Sequence, residues 1–279
     1  VIRLVDKDLS EARDKKKETF DGKIVVKWMH DSNSNSWYQF QRYLLQHPET
    51  AVQLDTKLTF ANTQITKKDY VSKRLPYSLE KGSFDAWDLF MSTAYDLEDR
   101  LKIEWAIGAI VAGEAKDIQK FLVIYGEAGS GKSTTLNVIQ KLFEGYYTTF
   151  EAKALGSFNN TFATESFRGN PLVAIEHDGD LSRIEDNTKL NSLVSHEEMT
   201  MNQKFKSTFT AKSNAFVIMG TNKAVKITDA KSGLLRRLID VRTSGRIIPH
   251  HQYDTIISRM NFELGAIADH CIQKYKLMG

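Results

Sequence analysis

The residues with the clearest chemical pattern are GEAGSGKS at 126–133, which we call the glycine-rich loop. They match G-x-x-x-x-G-K-[ST], the pattern of loops that bind nucleotide phosphates. Glycines allow consecutive backbone N–H groups to face one centre and hold phosphate oxygens there, and a helix beginning near Lys132 would add its positive amino end. We predict that Lys132 binds the β- and γ-phosphates of ATP and that the Ser133 hydroxyl binds Mg²⁺. The predicted nucleotide-binding residues are Gly126, Glu127, Ala128, Gly129, Ser130, Gly131, Lys132, Ser133 and Thr134.

The segments beside the glycine-rich loop distinguish a phosphate site from a chance glycine-rich turn. The apolar run FLVIY before it is typical of a strand buried on both faces, and TTLNVIQKLF after it has helical spacing. PLVAIEHD (171–178) and AFVIMGTN (215–222) predict two more buried strands. Strands that alternate with helices imply an α/β fold with a parallel sheet covered on both sides. The spacing from Tyr253 to Tyr275 predicts one closing amphipathic helix.

Acidic residues follow the second predicted strand, at the edge where a parallel sheet has its ligand crevice. Glu176 directly ends the apolar run, and Asp178 lies on the same face if the strand continues. A carboxylate here could hold Mg²⁺ and polarise the attacking water. We predict Glu176 as the catalytic acid and, with Ser133, as a metal ligand; Asp178 is a second catalytic candidate and His177 a bystander. The alternative for each acid is a solvated loop residue.

Three polar residues further along could complete a catalytic site. Asn222 follows the third predicted strand, where an amide can orient the attacking water, although asparagine is also common in turns. Arg236 and Arg237 lie between a loop and a predicted strand. An arginine that neutralises charge on the γ-phosphate accelerates phosphoryl transfer and often comes from an adjacent subunit. The alternative is a surface arginine pair.

Lysines concentrate in MTMNQKFKSTFTAK, residues 199–212. The alternation of polar and apolar residues predicts a β-hairpin that presents Lys204, Lys206 and Lys212. Lysines interleaved with an aromatic residue could bind the backbone of single-stranded DNA. The alternative is an edge hairpin on which the lysines prevent aggregation.

Composition sets the class of protein. The chain has 279 residues, of which 41% are hydrophobic and 10% aromatic, with a net charge of +3, so it can bury a sizeable core. A single cysteine, Cys271, excludes a disulfide framework and a cysteine-rich zinc site and fits the cytoplasm. The sequence has no apolar run of membrane-spanning length and no signal peptide, so we expect no membrane partner. Because the chain lacks a starting Met, we expect a piece of a larger polypeptide.

The chain is predicted to have two regions. Residues 1–115 form a mainly helical amino-terminal region, with helices at Ser83–Tyr95 and Leu97–Gly113 and short strands and turns between Gln53 and Tyr77. Residues 116–279 form the ATPase core.

The order of these motifs resembles the superfamily 3 helicases, in particular the helicase module of phage, plasmid and poxvirus-type primase-helicases. The resemblance covers about residues 80–245 and depends on the glycine-rich loop, the acid-ended strand, QKFKSTFTAKSNAFVIMGTN and GLLRRL. It implies an AAA+-like P-loop NTPase fold that works as a ring, usually a hexamer, with ATP between neighbouring subunits. It also implies that the protein is an ATP hydrolase that unwinds DNA during viral or plasmid replication.

The same resemblance implies roles for individual residues. Lys132 and Ser133 would bind phosphate and Mg²⁺, Glu176 would be the acid, and Asn222 would sense the γ-phosphate. Arg236 or Arg237 would reach the next subunit's site, while Lys204 and Lys206 would grip single-stranded DNA in the central channel. Translocation would run 3′ to 5′, the amino-terminal region would be a collar, and a primase or primase-polymerase domain would precede the module. A phage or viral source would place the protein in the host cytoplasm.

A second hypothesis belongs to a different functional class. A non-motor AAA+ ATPase that remodels a protein or switches an assembly would share the glycine-rich loop and the arginine finger, but it would not need lysines in a channel. Absence of any affinity for single-stranded DNA at low salt would favour it. A monomeric P-loop kinase is a third hypothesis. It is disfavoured because such enzymes carry a lid that binds the phosphate acceptor, and the sequence has no clear candidate for one.

Overall fold

The computed structural model describes residues 58–66, 71, 73–157, 162–180, 187–203, 206–223 and 233–279. These residues fall into two compact units. The smaller includes β1 (Leu58–Thr59) and β2 (Lys73–Arg74), which pair in parallel. The larger comprises residues 60–63 and the described residues from Leu75 onward, and it contains every other element below.

The larger unit is built on a five-stranded parallel sheet. Its strands are β3 (Phe121–Tyr125), β4 (Tyr147–Thr149), β5 (Val173–Glu176), β8 (Phe216–Thr221) and β9 (Leu238–Arg242), in the spatial order β4-β5-β8-β3-β9. The three central strands are almost wholly buried, which explains their continuous apolar runs. The predicted α/β class with a central parallel sheet is confirmed.

Helices cover the sheet. They are α1 (Asp85–Ala94), α2 (Leu97–Ala112), α3 (Lys132–Leu142), α4 (Ala152–Leu155), α5 (Thr188–Val194), α6 (His250–Met260) and α7 (Leu264–Met278). The helices predicted at 83–95 and 97–113 are confirmed by α1 and α2. Among the described residues, no helix is long and apolar enough to cross a membrane.

Helix α2 packs closely along α7 and contacts β9, while α6 packs on α1. Gly108 lies at the α2–α7 crossing, where a Cβ would overlap the backbone carbonyl of Cys271. The division of the chain at residue 115 stays a prediction, since residues 1–57 lie outside the described residues.

The single helix predicted for Tyr253–Tyr275 is wrong: the chain forms α6 and α7, separated by Asn261–Glu263. The carboxylate of Glu263 accepts hydrogen bonds from the backbone N–H groups of Ala86 and Trp87, at 3.1–3.2 Å. Both donors lie in the first turn of α1, where N–H groups have no partner within their own helix. The break between α6 and α7 places Glu263 where it caps α1.

The hairpin predicted at 199–212 is confirmed. Strands β6 (Glu198–Gln203) and β7 (Lys206–Lys212) pair antiparallel, with a register irregularity between Met201 and Gln203. Met199 and Met201 are buried in the apolar cluster that also contains Phe121 and Val123 of β3. The base of the hairpin therefore packs against one face of the central sheet.

Candidate functional site

The glycine-rich loop lies between the buried strand β3 and helix α3, which begins at Lys132. Gly131 has φ of 96°, a left-handed conformation that favours glycine. At Gly126 the constraint is space, because a Cβ would overlap the Thr243 hydroxyl. The loop thus has the strand–loop–helix context that its sequence predicts, and its glycines occupy positions that larger residues would disturb.

The Lys132 side chain folds back over the loop. Its Nζ donates hydrogen bonds to the carbonyl oxygens of Gly126 and Glu127, at 2.6 and 2.7 Å. Lys132 is buried, and the loss of hydration lowers the pKa of its ammonium, although the negative charge of Asp178 acts in the opposite direction. An ammonium has three N–H donors, so one donor remains for an anion held in the loop.

A cavity of about 550 Å³ adjoins the glycine-rich loop. One part of its wall consists of loop residues and the first residues of α3, including Ser133 and Thr134. The polar residues His177, Asp178 and Asn222 line another part. The remaining wall is formed by α1 and by the segment that leads into α6, through Phe90, Ala94, Arg246, Ile247, Ile248, His250 and Tyr253.

Asp178 and Asn222 meet at the carboxyl edge of the sheet. Strand β8 lies between β5 and β3, so the acid-bearing strand does not pair with the strand that leads into the loop. The Asn222 amide donates to Asp178 Oδ1 at 3.3 Å, and both side chains are exposed. The structure therefore brings Lys132, Ser133, Asp178 and Asn222 around one cavity.

Glu176 occupies a different position, facing an adjacent cavity of about 730 Å³ that shares His177, Asp178 and Asn222 with the first. Its Oε2 accepts a hydrogen bond from the Ala152 N–H at 3.1 Å. Burial raises the pKa of Glu176 to about 7, and the negative charges of Glu151 and Asp178 add to this, against the opposing effect of the Ala152 bond. Glu176 can therefore gain or lose a proton near neutral pH.

Arg236 and Arg237 lie in a short 3-10 turn, Leu235–Arg237, immediately before β9. Leu238 of β9 pairs with Phe121, the first residue of β3, whereas the glycine-rich loop follows the last residue. Arg236 is exposed, whereas Arg237 is buried. The Arg237 guanidinium donates through Nη1 to the Gly233 carbonyl at 3.0 Å, and the Arg237 Nε has no hydrogen-bond partner among the described residues. Both arginines lie at the sheet edge opposite the loop, and neither lines the cavity.

Two of the three predicted DNA-binding lysines belong to the hairpin. Lys206 and Lys212 begin and end β7, and the Lys212 side chain is exposed. Lys204 lies outside the described residues. His196 ties the base of the hairpin to the rest of the unit: its Nδ1 is 2.9 Å from the Ser213 carbonyl oxygen and its Nε2 is 3.1 Å from those of Ala115 and Ile118. Residues 115–118 lead into β3, so the hairpin base is linked to the strand that carries the glycine-rich loop.

The cavity residues that follow β9 were not predicted from the sequence. Arg246 illustrates why: its guanidinium donates to the carbonyl oxygens of Ser92, Thr93 and Tyr95, each at 3.1 Å, and pairs with Asp96 at 3.0 Å. It thereby satisfies carbonyl groups at the carboxyl end of α1. No local spacing connects residue 246 to residues 92–96; the only signal is a turn with Gly245 and Pro249 after a strand.

A family model described as a family of unknown function, DUF5906, matches residues 124–237. This segment begins in β3 and ends at Arg237. It contains all of the candidate site residues that the sequence predicts, from Gly126 to Arg237, and excludes α1, α2, α6 and α7.

Solved structures of the NrS-1 C-terminal region share the fold. The apo structure of residues 305–718 has a TM-score of 0.55 and 14% identity, over 79% of this chain and 59% of that one. An A form apo structure of the region has a TM-score of 0.54 and 16% identity, over 71% of this chain and 48% of that one. An A form apo structure of residues 305–718 has a TM-score of 0.53 and 14% identity, over 85% of this chain and 65% of that one. The chain thus spans between about half and two thirds of the length of these structures.

Proposed function

We propose that this chain is the ATPase module of a ring-forming DNA helicase of superfamily 3 type, acting in viral or plasmid replication. The observation that carries the proposal is the shared cavity: the glycine-rich loop, Asp178 and Asn222 come from three different parts of the chain and surround one space at the carboxyl edge of a parallel sheet. This is the edge where such sheets bind their ligands. The AAA+-like assignment and the hexamer rest on the motif order and remain part of the proposal.

The residues around the cavity suit ATP and Mg²⁺. Backbone N–H groups of the loop and the Lys132 ammonium would bind phosphate oxygens. The Ser133 hydroxyl and the Asp178 carboxylate, both oxygen ligands facing the cavity, fit the preference of Mg²⁺ for one or two carboxylates plus phosphates. When bound, the ion would neutralise charge on the phosphates.

We assign the two acids different tasks. With Asp178 placed to hold Mg²⁺, Glu176 would serve as the proton acceptor for the attacking water from the adjacent cavity, which shares Asp178 and Asn222 with the cavity beside the loop. A pKa of about 7 suits general base catalysis at neutral pH. Asn222, hydrogen-bonded to Asp178, would orient that water. Glu176 as a metal ligand stays the alternative assignment.

The position of the arginines supports a site shared between subunits. Strand β3 has five residues, and at a rise of about 3.3 Å per residue its two ends lie roughly 13 Å apart. An arginine at the amino edge of the sheet therefore does not face its own loop, but it can face the loop of a neighbouring copy. Arg236 is exposed and is the better placed of the two to act as the finger; the buried Arg237 would hold the turn.

The hairpin would supply the contact with single-stranded DNA. Lys204, Lys206 and Lys212 would bind backbone phosphates in the channel of the ring, and His196 connects the hairpin base to residues before β3. The further expectations are 3′-to-5′ translocation, a collar formed by the amino-terminal region, an upstream primase or primase-polymerase domain, and a cytoplasmic location, in the host for a phage or virus.

Strand unwinding tests the proposal. The wild-type chain should unwind a duplex with a 3′ single-stranded tail when Mg·ATP is present, and Lys132→Ala should lose both ATP turnover and unwinding. Lys204→Ala with Lys206→Ala should lose unwinding and the response to DNA while keeping basal turnover. Lys274→Ala with Lys276→Ala on α7 is the matched control, since it removes the same charge away from the hairpin and should unwind normally.

Two outcomes would overturn parts of the proposal. Normal unwinding by the Lys204–Lys206 variant would show that the hairpin does not grip DNA. ATP turnover without any affinity for single-stranded DNA at low salt would replace the helicase with the non-motor AAA+ remodeller or switch.

A further inference from the structure

Tyr253 is a cavity residue that the proposed chemistry has not used. It lies in the first turn and a half of α6 and lines the same cavity as the glycine-rich loop. Its hydroxyl is 2.6 Å from Oγ1 of Thr134, the third residue of α3. A hydrogen bond this short joins the helix that follows the loop to a helix more than a hundred residues later in the chain.

The chemistry of two paired hydroxyls limits what this bond can do. Each hydroxyl carries one proton and can accept further hydrogen bonds. If Tyr253 donates to Thr134, the single proton of Thr134 is free to point at another acceptor. Thr134 lines the cavity beside Lys132 and Ser133, so a phosphate oxygen of a ligand held in the loop could accept that proton. Successive hydrogen bonds of this kind strengthen one another.

A second hydrogen bond links the same two parts of the chain. Lys141 Nζ donates at 2.5 Å to Oδ1 of Asn261, the residue that follows α6, about two turns of α3 away from the Thr134–Tyr253 bond. Asn261 does not line the cavity beside the loop. The two α3–α6 bonds can therefore be separated experimentally: one faces the ligand space and the other does not.

We propose that Tyr253 is a positioning residue for nucleotide binding: it donates to Thr134 and thereby directs the Thr134 hydroxyl proton toward the phosphates of the nucleotide. The inference rests on the proposed function, because it requires that the glycine-rich loop binds a nucleotide. It assigns a task in nucleotide binding to α6, which lies outside the segment matched by the family model.

A double-mutant cycle tests the inference, with the affinity for Mg·ADP measured by calorimetry. Tyr253→Phe removes only the hydroxyl, and Thr134→Val keeps the shape of the side chain but not its polarity. Each should weaken binding about fivefold, as expected for one hydrogen bond, and the double variant should bind no more weakly than the weaker single variant. Asn261→Ala, which breaks the other α3–α6 bond, should bind within twofold of the wild type.

The outcomes separate this inference from the proposed function. A wild-type chain that does not bind Mg·ADP would overturn both. If the wild type binds and Tyr253→Phe binds equally well, only the role of Tyr253 fails. Losses that multiply in the double variant would show that Tyr253 does not act through Thr134. A loss in Asn261→Ala equal to that in Tyr253→Phe would show that any hydrogen bond between these two parts of the chain has the same effect. Either result overturns the inference.

Discussion

Replacing Glu176 with glutamine should stabilise the protein, and the gain should depend on pH. Burial raises the pKa of Glu176 from an ordinary value of 4.5 to about 7. The folded protein therefore holds this proton more tightly than the unfolded chain. Between these two pKa values unfolding releases a proton, so the free energy of unfolding falls as pH rises through this window. The full destabilising effect of the ionised Glu176 carboxylate is therefore present only above about pH 7.

The size of the effect follows from the pKa shift. One pKa unit corresponds to about 1.4 kcal/mol, so the shift of Glu176 corresponds to roughly 3 kcal/mol as an upper value. Glutamine keeps an oxygen that accepts from the Ala152 N–H, but it carries no charge. We expect Glu176→Gln to match the wild type near pH 4 and to exceed its free energy of unfolding by up to roughly 3 kcal/mol at pH 8.

Urea denaturation of both proteins at pH 4, 5, 6, 7 and 8 measures this difference. All other ionisable groups are common to the two proteins, so their contributions to the pH dependence of stability cancel to first order in the difference. Asp178→Asn is the control: it removes a charge near the same strand end from an exposed side chain, and we expect it to change stability by less than about 0.5 kcal/mol. A stability difference between Glu176→Gln and the wild type that stays constant across the pH range would refute the reasoning.

Two further substitutions test the packing of the helices around the site, each by urea denaturation with circular dichroism. Gly108→Ala should lower the free energy of unfolding by about 1–2 kcal/mol. The new Cβ would overlap the Cys271 carbonyl, and this costs more than the roughly 1 kcal/mol that alanine gains in helix propensity. An increase in stability would contradict the α2–α7 contact. Glu104→Ala should cost about 3–5 kcal/mol, because Glu104 is fully buried beside Arg100 at 2.8 Å and His270 at 3.1 Å. A loss below about 1 kcal/mol would show that Arg100 and His270 do not depend on Glu104 as a partner.

The sequence predicted the elements that carry their own pattern. FLVIY, VAIE and FVIMGT are buried on both faces, so their apolar runs are continuous, and all three form central strands. The hairpin was predictable because polar and apolar residues alternate at period two. The loop at 126–133 was predictable as a strand–loop–helix unit because its glycines and flanking segments are local.

Features that depend on contacts between distant residues were not predictable. The break between α6 and α7 places Glu263 against the first turn of α1, which is far away in the sequence. Tyr253 lines the cavity beside the loop although its partner Thr134 lies 119 residues earlier in the sequence. The sequence also favoured Glu176 over Asp178 from its place at the end of the apolar run. Which acid faces the loop depends on the turn after β5, which local spacing does not determine.

The measurement that tests the central claim most directly is the rate of ATP hydrolysis with and without single-stranded DNA, at one protein concentration and low ionic strength. A helicase module of the proposed type should hydrolyse ATP slowly in the absence of DNA, and its rate should rise as single-stranded DNA is added. The stimulation should be absent in Lys132→Ala. A wild-type rate that stays the same up to saturating single-stranded DNA would contradict the proposed function.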